Sequence, residues 1–180
     1  HCRLPDRLVK AIRDSNYDKR YHLGLAVQLS FLALTGREPD SKLRMPPAML
    51  RLLCEQLRIS TTAIASLKAL YRNVDRTLAN HRAWVRERLG LLPYDAGAEE
   101  RLRAALSQQA IDAASVDEVF NSAEQWLFDN KIVLPGKRHL QDLARSAFRV
   151  VEELALTTIR TAVTPVRIRA ILKVMHEESM

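Results

Sequence analysis

Residues 17–35 read YDKRYHLGLAVQLSFLALT, and from Leu23 onward this stretch is apolar almost all round the helix that it predicts. A helix without a polar face is typical of a protein core, because other elements must cover every side of it. Gly24 would cost such a helix about 1 kcal/mol relative to alanine, which indicates that another element packs closely at this point. Gly36 follows as the residue that ends the helix. We therefore expect this helix to be the most buried element.

Apolar residues also recur at helical spacing along the rest of the chain. The 180 residues include only five glycines and few runs of β-branched residues, so strands are disfavoured. The sequence predicts an all-α fold, a multi-helix domain of about eight or nine helices with a helix-turn-helix-like pair. One segment, residues 131–136 (KIVLPG), is too apolar for a free loop, and its proline stops a helix. We expect that segment to be extended and at least half buried.

Residues 46–71 predict a helix, a short turn and a second helix. Leu50 and Leu57 share one face of the first helix, and Ser60 suits the N-cap of the second. The spacing matches a helix-turn-helix motif, although Arg58 stands where the tight turn usually takes a glycine. In such a motif the second helix lies near the base edges of DNA. The polar side chains that we expect at those edges are Thr61, Thr62, Ser66 and Lys68.

Residues 74–89 predict a basic helix with one apolar face. That face is formed by Val74, Leu78, His81, Val85 and Leu89. We expect His81, in the middle of it, to be a hydrogen-bonded core histidine rather than a ligand. The cations on the opposite face or at its edge are Arg72, Arg76, Arg82 and Arg86. We assign these four to phosphate contacts, and the alternative is a solvated helix face.

Lys137 and Arg138 begin a long helix that is predicted over residues 137–161. Because the N-terminal end of a helix carries partial positive charge, this pair is a second candidate phosphate contact. Simple packing with solvated cations is the alternative. The residues expected on the core side of this helix are Leu140, Leu143, Ala147, Val151, Leu154 and Ala155.

The formal net charge of +7 is distributed unevenly along the chain. Residues 1–90 carry +9, residues 91–136 carry −5 and residues 137–180 carry +3. We therefore divide the chain into a basic helical half, residues 1–90, which holds the helix-turn-helix candidate, and a second helical half, residues 91–180. We expect the second half to pack as one continuous helical unit. A basic first half favours a polyanion partner, without separating DNA from RNA or an anionic membrane surface.

The sequence shows no arrangement of residues that would carry catalysis. None of the five histidines stands at a metal-ligand spacing. A glycine-rich phosphate loop, a nucleophile elbow and a cysteine with a partnered histidine are also absent. We expect no catalytic activity, cofactor or metal site in these residues. Cys54 is expected to be a buried, reduced thiol, which suits a cytoplasmic protein. No apolar run approaches the roughly 18 residues of a membrane span, so no membrane partner is expected.

Four segments, in order, resemble the N-terminal region of transposases of the Tn-three family, the replicative, cointegrate-forming transposons of bacteria. The resemblance covers most of the chain, from about residue 4 to residue 156. The segments are RYHLGLAVQL (20–29) with LTGR (34–37), then CEQL (54–57), then Tyr71, Thr77 and His81 leading to Leu89-Gly90, and last WL (126–127) with KIVLPG (131–136), Leu140 and Leu143. Val74 and Leu78 stand where the family usually carries arginines, and Arg76 substitutes for them from a neighbouring turn.

The resemblance implies a function that the composition does not show. The chain would be a fragment of a large transposase, and this N-terminal region would recognise the terminal inverted repeats of the transposon as double-stranded DNA. The metal-dependent Asp-Asp-Glu catalytic domain, with a divalent metal such as Mg²⁺, would lie far downstream. Further partners would be other parts of the transposase or a second protomer. The location implied is the bacterial cytoplasm, at the nucleoid when bound to DNA.

Two other functions fit the same residues less closely. A helical protein-interaction or scaffold module of a larger cytoplasmic protein would use the acidic surface of residues 95–124 and leave the basic face solvated. RNA binding is disfavoured because exposed aromatic residues for base stacking are scarce.

Overall fold

The computed structural model describes residues 3–39, 45–71, 75–162 and 169. The regular secondary structure of this part of the chain is helical, apart from two isolated parallel β-bridges, so the predicted all-α fold is confirmed. The predicted helix at residues 166–178 lies outside the described residues, apart from Arg169. The α-helices in the described ranges are α1 Asp6–Arg13, α2 His22–Thr35, α3 Pro47–Leu57, α4 Ala63–Leu70, α5 Asp75–Leu89, α6 Ala96–Gln109, α7 Val116–Asp129 and α8 Lys137–Ala162.

The chain forms two compact units. The first unit comprises His1–Glu99 and Glu124–Lys137, and the second comprises Glu100–Ala123 and Arg138–Met180. The charge pattern suggested a division of the chain after residue 90. The first unit includes residues on both sides of that position, and the division by charge stays a prediction.

Helix α2 is the centre of the first unit. Ten of its fourteen residues are buried, and it contacts α1, α3, α4 and α5, which confirms that it is the most buried element. Its start differs from the prediction, because a short 3₁₀ turn, Lys19–Tyr21, precedes it. The carboxylate of Asp18 accepts a hydrogen bond from the backbone N–H of Arg20 at 3.0 Å and so caps that turn instead of allowing an earlier α-helix. Gly36 ends α2 in the left-handed conformation, with φ 66°.

A glutamine side chain ties the start of α1 to the end of α3. The Gln56 amide accepts from the backbone N–H of Leu4 at 3.1 Å and donates to the Leu4 carbonyl, also at 3.1 Å. The guanidinium of Arg13 donates to the backbone carbonyl of Gln56 at 2.6 Å. Both ends of α1 are thereby held against the same residue, although α1 has only eight residues.

Residues 132–134 form the extended, largely buried part of the segment predicted at residues 131–136, whereas Lys131 and Gly136 are exposed. Ile132 and Val133 are 4% and 5% exposed. The backbone N–H of Leu134 donates to the Gly36 carbonyl at 2.8 Å, and the N–H of Val133 donates to the Leu92 carbonyl at 3.0 Å. The segment thus lies between the residue after α2 and the residues after α5, and forms a parallel bridge with each.

The helices α3, α5 and α7 are followed by the same left-handed turn. Arg58, Gly90 and Lys131 follow α3, α5 and α7 with φ values of 56°, 66° and 54°. In each case the next residue donates its backbone N–H to a carbonyl five residues back, at 2.9–3.0 Å, which is the Schellman pattern. Glycine is relaxed in this conformation, whereas a residue with a Cβ atom is strained by roughly 1 kcal/mol. Arg58 therefore occupies the tight-turn position as a strained residue.

We expect Arg58→Gly to raise the free energy of unfolding by about 0.5–1 kcal/mol, because it removes the left-handed strain and loses only a weak cation–helix-end attraction. Lys131→Gly should act in the same direction. Gly90→Ala should lower the free energy by a similar amount. A Cβ at Gly90 has no atom within 4 Å, so this change tests conformation alone. Urea titration of the three variants measures the effects, and a destabilised Arg58→Gly protein would show that the arginine side chain outweighs the strain.

The second unit contains the largest correction to the sequence prediction. Leu140 and Leu143 of α8 are buried as expected, but Leu154 is 65% exposed, and Ala155 is exposed too. The expectation for these two residues is wrong. The physical reason is length, because α8 has 26 residues, about 39 Å, whereas α6 and α7 have 14 each, about 21 Å. The apolar stripe thus continues past the part of α8 that is covered.

Candidate nucleic-acid interface

A buried hydrogen bond joins the end of α4 to α5. The hydroxyl of Tyr71 lies 2.8 Å from Nδ1 of His81, and the amide of Gln28 donates to the same hydroxyl at 3.4 Å. The Tyr71 hydroxyl accepts from Gln28 and can donate its proton to Nδ1, in which case the His81 proton lies on Nε2. His81 is 1% exposed, so the prediction of a hydrogen-bonded core histidine is confirmed.

Aromatic rings enclose His81 and keep it neutral. The rings of Tyr17 and Tyr21 meet it edge-on, at centroid distances of 4.5 and 5.0 Å. Burial in these surroundings lowers the pKa of His81 to about 4, and burial raises the pKa of Tyr71 above its usual value. Nε2 of His81 is buried without a hydrogen-bond partner among the described residues. A positive charge at this position would therefore have neither water nor a carboxylate to stabilise it.

Gly24 of α2 makes room for this network. A Cβ atom at Gly24 would lie 2.2 Å from the Tyr71 hydroxyl and 2.6 Å from Cε2 of the same ring. The close packing predicted at Gly24 is confirmed, and the group that packs there is the Tyr71 side chain. Through this contact, α2 packs against Tyr71, the residue that directly follows α4 and precedes the basic helix α5.

Residues 58–62 connect α3 to α4, the pair predicted as helix-turn-helix-like. The hydroxyl of Ser60 accepts from the backbone N–H of Thr62 at 3.2 Å, but α4 begins only at Ala63. The predicted cap therefore closes a turn before the helix. Leu67, 2% exposed, anchors the inner side of α4. The predicted base contacts on the outer side that the structure describes, Thr61, Thr62 and Ser66, are all exposed. The side chain of Lys68 lies outside the description.

In the described residues of α5, the buried and the exposed faces are the ones that the helical periodicity predicted. Leu78, His81 and Val85 are buried, while Val74 and Arg72 lie outside the described residues. Arg76 is exposed, on a face that it shares with Ala79 and Ala83. Because the side chains beside Arg76 are small, a bulky partner molecule can approach the backbone of α5 on this face.

Arg82 and Arg86 differ from this pattern because both are paired with Glu38. Arg86 forms an ion pair with Oε1 of Glu38, and Nε of Arg82 lies 3.2 Å from Oε2. Arg82 also donates to the Pro39 carbonyl at 2.9 Å. The side chains of Arg82, Arg86 and Glu38 are 29%, 21% and 24% exposed. One carboxylate, which follows α2 in the chain, thus pairs with two of the four arginines that the sequence assigned to phosphate, and its single charge offsets one of their two positive charges.

A cavity of about 320 Å³ opens beside this ion pair. Arg37, Glu38 and Arg86 line it, together with Tyr94 and the segment 133–136. Arg37 is itself held by the Pro135 carbonyl and by the carboxylate of Glu124. Two arginines thus line one open cavity in the first unit.

Lys137 and Arg138 are exposed in the first turn of α8, as expected for the second candidate phosphate contact. Lys137 belongs to the first unit and Arg138 to the second. The structure therefore groups the candidates as Thr61, Thr62 and Ser66 at α4, Arg76, Arg82 and Arg86 on α5, and Lys137 with Arg138 at α8.

Comparison with known protein families decides where this chain belongs. A family model described as "Domain of unknown function (DUF4158)" matches residues 4–147. The chain belongs to this family. It is also 30% identical over 147 residues to the transposase for insertion sequence element IS1071 in transposon Tn5271 of Comamonas testosteroni. That alignment covers 81% of the chain and 15% of the transposase.

The part of this DUF4158 protein that matches the family includes α1 to α7 and the first eleven residues of α8. It contains the Tyr71–His81 network and the Glu38 ion pairs. Within the described ranges, no group of three or more histidine, cysteine, aspartate or glutamate side chains could hold a metal ion. No helix in those ranges is long and apolar enough to cross a membrane.

Sequence reasoning missed two functionally placed residues of this DUF4158 protein. Glu38 lies in a polar loop 44 and 48 residues before Arg82 and Arg86, so no local pattern links it to α5. Gln28 is one of only two polar residues in the apolar stretch of α2. A polar side chain at a fully buried position indicates a specific hydrogen-bond partner, so Gln28 was a further signal for the Tyr71 network, in addition to Gly24 and His81.

Proposed function

We propose that this chain is the DNA-binding N-terminal region of a bacterial transposase, and that it recognises the terminal inverted repeats of a transposon during replicative transposition. The similarity to a transposase over 147 residues supports the enzyme class. The observation that carries the DNA-binding role is the exposed polar face at the start of α4, followed in the chain by the arginine-bearing helix α5. Base edges are read by short polar side chains, and phosphates are held by arginines, so the two helices supply complementary contacts.

The residues divide between these two tasks. Thr61, Thr62, Ser66 and Lys68 would meet base edges, as the second helix of a helix-turn-helix does. Arg72 and Arg76 would hold phosphates from α5, and Arg82 and Arg86 would do so after leaving Glu38. Lys137 and Arg138 would add a phosphate contact at the start of α8.

The reaction itself would belong to the rest of a longer polypeptide. The matched relative is much longer than this chain, which spans 15% of it. We place the Asp-Asp-Glu catalytic domain and its divalent metal, such as Mg²⁺, outside these 180 residues, and assign no catalytic step to the residues named above. The partners in this proposal are transposon-end DNA and a second protomer or other parts of the transposase, in the bacterial cytoplasm.

The phosphate role of α5 is tested by the salt dependence of binding. Each neutralised phosphate contributes a slope of about −0.9 to log K against log salt. We expect Arg76→Ala to flatten the slope by about 0.9 and to weaken inverted-repeat and scrambled duplexes alike. Gel-shift titration over a salt series measures this. Arg145→Ala, which changes an exposed arginine of the second unit, is the matched control and should leave the slope unchanged.

The base-reading role of α4 predicts a different result. Ser66→Ala keeps helix propensity and charge but removes a hydroxyl from the exposed face of α4. We expect it to lower the ratio of inverted-repeat to scrambled-duplex affinity by about fivefold to tenfold, with the salt slope unchanged. An equal loss on both duplexes would argue against a base contact at Ser66.

A protein-interaction module is the second candidate. The observation that favours it is the exposed apolar end of α8, where Val150, Leu154 and Ile159 are each more than half exposed. Large exposed apolar side chains on one helix are typical of a face that another protein segment covers. The occupant in this proposal is another part of the same longer polypeptide, since the matched transposase extends far beyond this region.

A further inference from the structure

We propose that the cavity lined by Arg37, Glu38 and Arg86 is a pocket for a DNA backbone phosphate, and that the Glu38 carboxylate occupies the phosphate position when DNA is absent. This inference rests on the DNA-binding function proposed above and adds a means of regulating it. It identifies Glu38, a residue outside both candidate helices, as the group that sets the affinity.

The first support is chemical likeness. A carboxylate and a phosphate present paired oxygens to arginine in similar geometry, and both form charge-assisted hydrogen bonds with guanidinium groups. Glu38 uses its two oxygens on two different arginines, Oε1 on Arg86 and Oε2 near Arg82. Arg86, which lines the cavity, can bind a phosphate oxygen there in place of Oε1 of Glu38, whereas Arg82 does not line the cavity and donates to the Pro39 carbonyl.

The second support is an unfilled donor. Nε of Arg82 is buried and has no hydrogen-bond partner among the described residues, although Oε2 of Glu38 lies 3.2 Å away. The ion pair is therefore close enough for attraction but lacks hydrogen-bond geometry. A buried donor without an acceptor is costly, so the Arg82 side of the interaction holds the Glu38 carboxylate less firmly against a competing phosphate than a full hydrogen bond would.

The third support is access. The cavity of about 320 Å³ reaches Arg86 and Glu38 from solvent, and Arg37 lies on its wall. Arg37 is already held by the Pro135 carbonyl and paired with the Glu124 carboxylate, so it forms a fixed part of the wall. Arg86 supplies the unpaired positive charge of the cavity once Glu38 turns away.

The physical consequence is an exchange reaction. DNA gains the Arg86 contact in the cavity only by displacing Glu38, so the wild-type affinity is reduced by the free energy of that ion pair. Without competition from Glu38, the protein would bind duplexes of any sequence more tightly, because the phosphates that it contacts carry no sequence information. Glu38 therefore lowers general DNA affinity and thereby raises the relative weight of base contacts.

The test is gel-shift titration of the 180-residue chain with inverted-repeat and scrambled duplexes at fixed salt. Glu38→Gln keeps the shape of the side chain and removes its charge, and we expect roughly tenfold tighter binding to both duplexes. Glu87→Gln is the matched control, because it removes the same charge from the exposed side of α5, away from the cavity. It should change affinity by less than about twofold.

A second pair of variants separates the pocket from net charge. If Arg86 is the group released by Glu38→Gln, then most of the gain must disappear when Glu38→Gln is made in an Arg86→Ala background. Thermal melts precede each titration. Should Glu38→Gln fold poorly, Glu38→Asp withdraws the carboxylate by one methylene and should raise affinity in the same direction by a smaller factor.

The outcomes distinguish the two proposals. If neither the wild-type chain nor Glu38→Gln binds either duplex, the DNA-binding function is overturned, and the pocket falls with it. A wild-type chain that binds, together with a Glu38→Gln gain no larger than that of Glu87→Gln, overturns only the pocket. A gain that persists without Arg86 does the same.

Discussion

Replacing Gly24 by alanine should destabilise the protein by roughly 2–3 kcal/mol. The new Cβ would lie 2.2–2.8 Å from three atoms of the Tyr71 side chain, so the ring must move. Alanine favours a helix over glycine by about 1 kcal/mol, but displacement of a ring from a packed core outweighs that gain. The movement also separates the Tyr71 hydroxyl from His81 and Gln28, leaving buried polar groups without partners. Urea titration followed by circular dichroism measures the loss.

A second helical glycine provides the control. In Gly97→Ala the new Cβ, within the first turn of α6, would meet only the Asp95 carboxylate at 3.6 Å, an ordinary contact. Helix propensity then acts alone, and we expect a gain of a few tenths of a kcal/mol up to about 1 kcal/mol. The opposite signs of the two glycine-to-alanine changes are the expected result. Equal effects would show that Tyr71 moves aside without cost.

The second large effect is loss of stability in mild acid through His81. Burial lowers the pKa of this histidine to about 4 in the folded protein, against about 6.5 in the unfolded chain. Between these values the unfolded state binds more protons, so stability is complete above about pH 6.5 and falls as the pH decreases toward 4. The shift corresponds to about 3 kcal/mol at most.

Denaturant titrations at several pH values between 4 and 7 measure this dependence. His81→Gln cannot gain a proton and can still meet the Tyr71 hydroxyl, so in this variant the His81 component of the pH dependence should vanish, even if overall stability is lower. A variant that keeps the full wild-type slope would show that other groups cause the acid sensitivity.

Much of the fold follows from local patterns, because each helix carries its own apolar periodicity and its own end signals. The burial of α2, the extended segment at residues 131–136 and the core position of His81 were all predictable on this basis. The exposed end of α8 was not, because a helical wheel shows which face is apolar but not whether another element is long enough to cover it. Leu154 repeats at the spacing of Leu140, yet only Leu140 is covered.

The candidate site was predictable to a smaller extent. The exposed positions on α4 and the position of Arg76 follow from the period of a helix. The state of Arg82 and Arg86 depends instead on Glu38, which the fold brings to α5 from a separate loop. Ion pairs between residues 44 and 48 positions apart leave no periodic trace in a single sequence. A charge pattern therefore shows where cations lie along a helix but not which of them the protein itself has already neutralised.

The discontinuous composition of the first unit has a consequence for how the protein is made. Val133 belongs to the same buried cluster as residues of α1 to α5, and its segment forms backbone hydrogen bonds with Gly36 and Leu92. A nascent chain that has emerged only as far as residue 99 lacks this strand-like piece, so the first unit cannot close until about 40 more residues have left the ribosome. During that interval the places that Ile132 and Val133 will fill stay open to water. A recombinant piece designed around the helix-turn-helix candidate should accordingly extend at least to Lys137, and a shorter one would resemble the unfinished nascent chain.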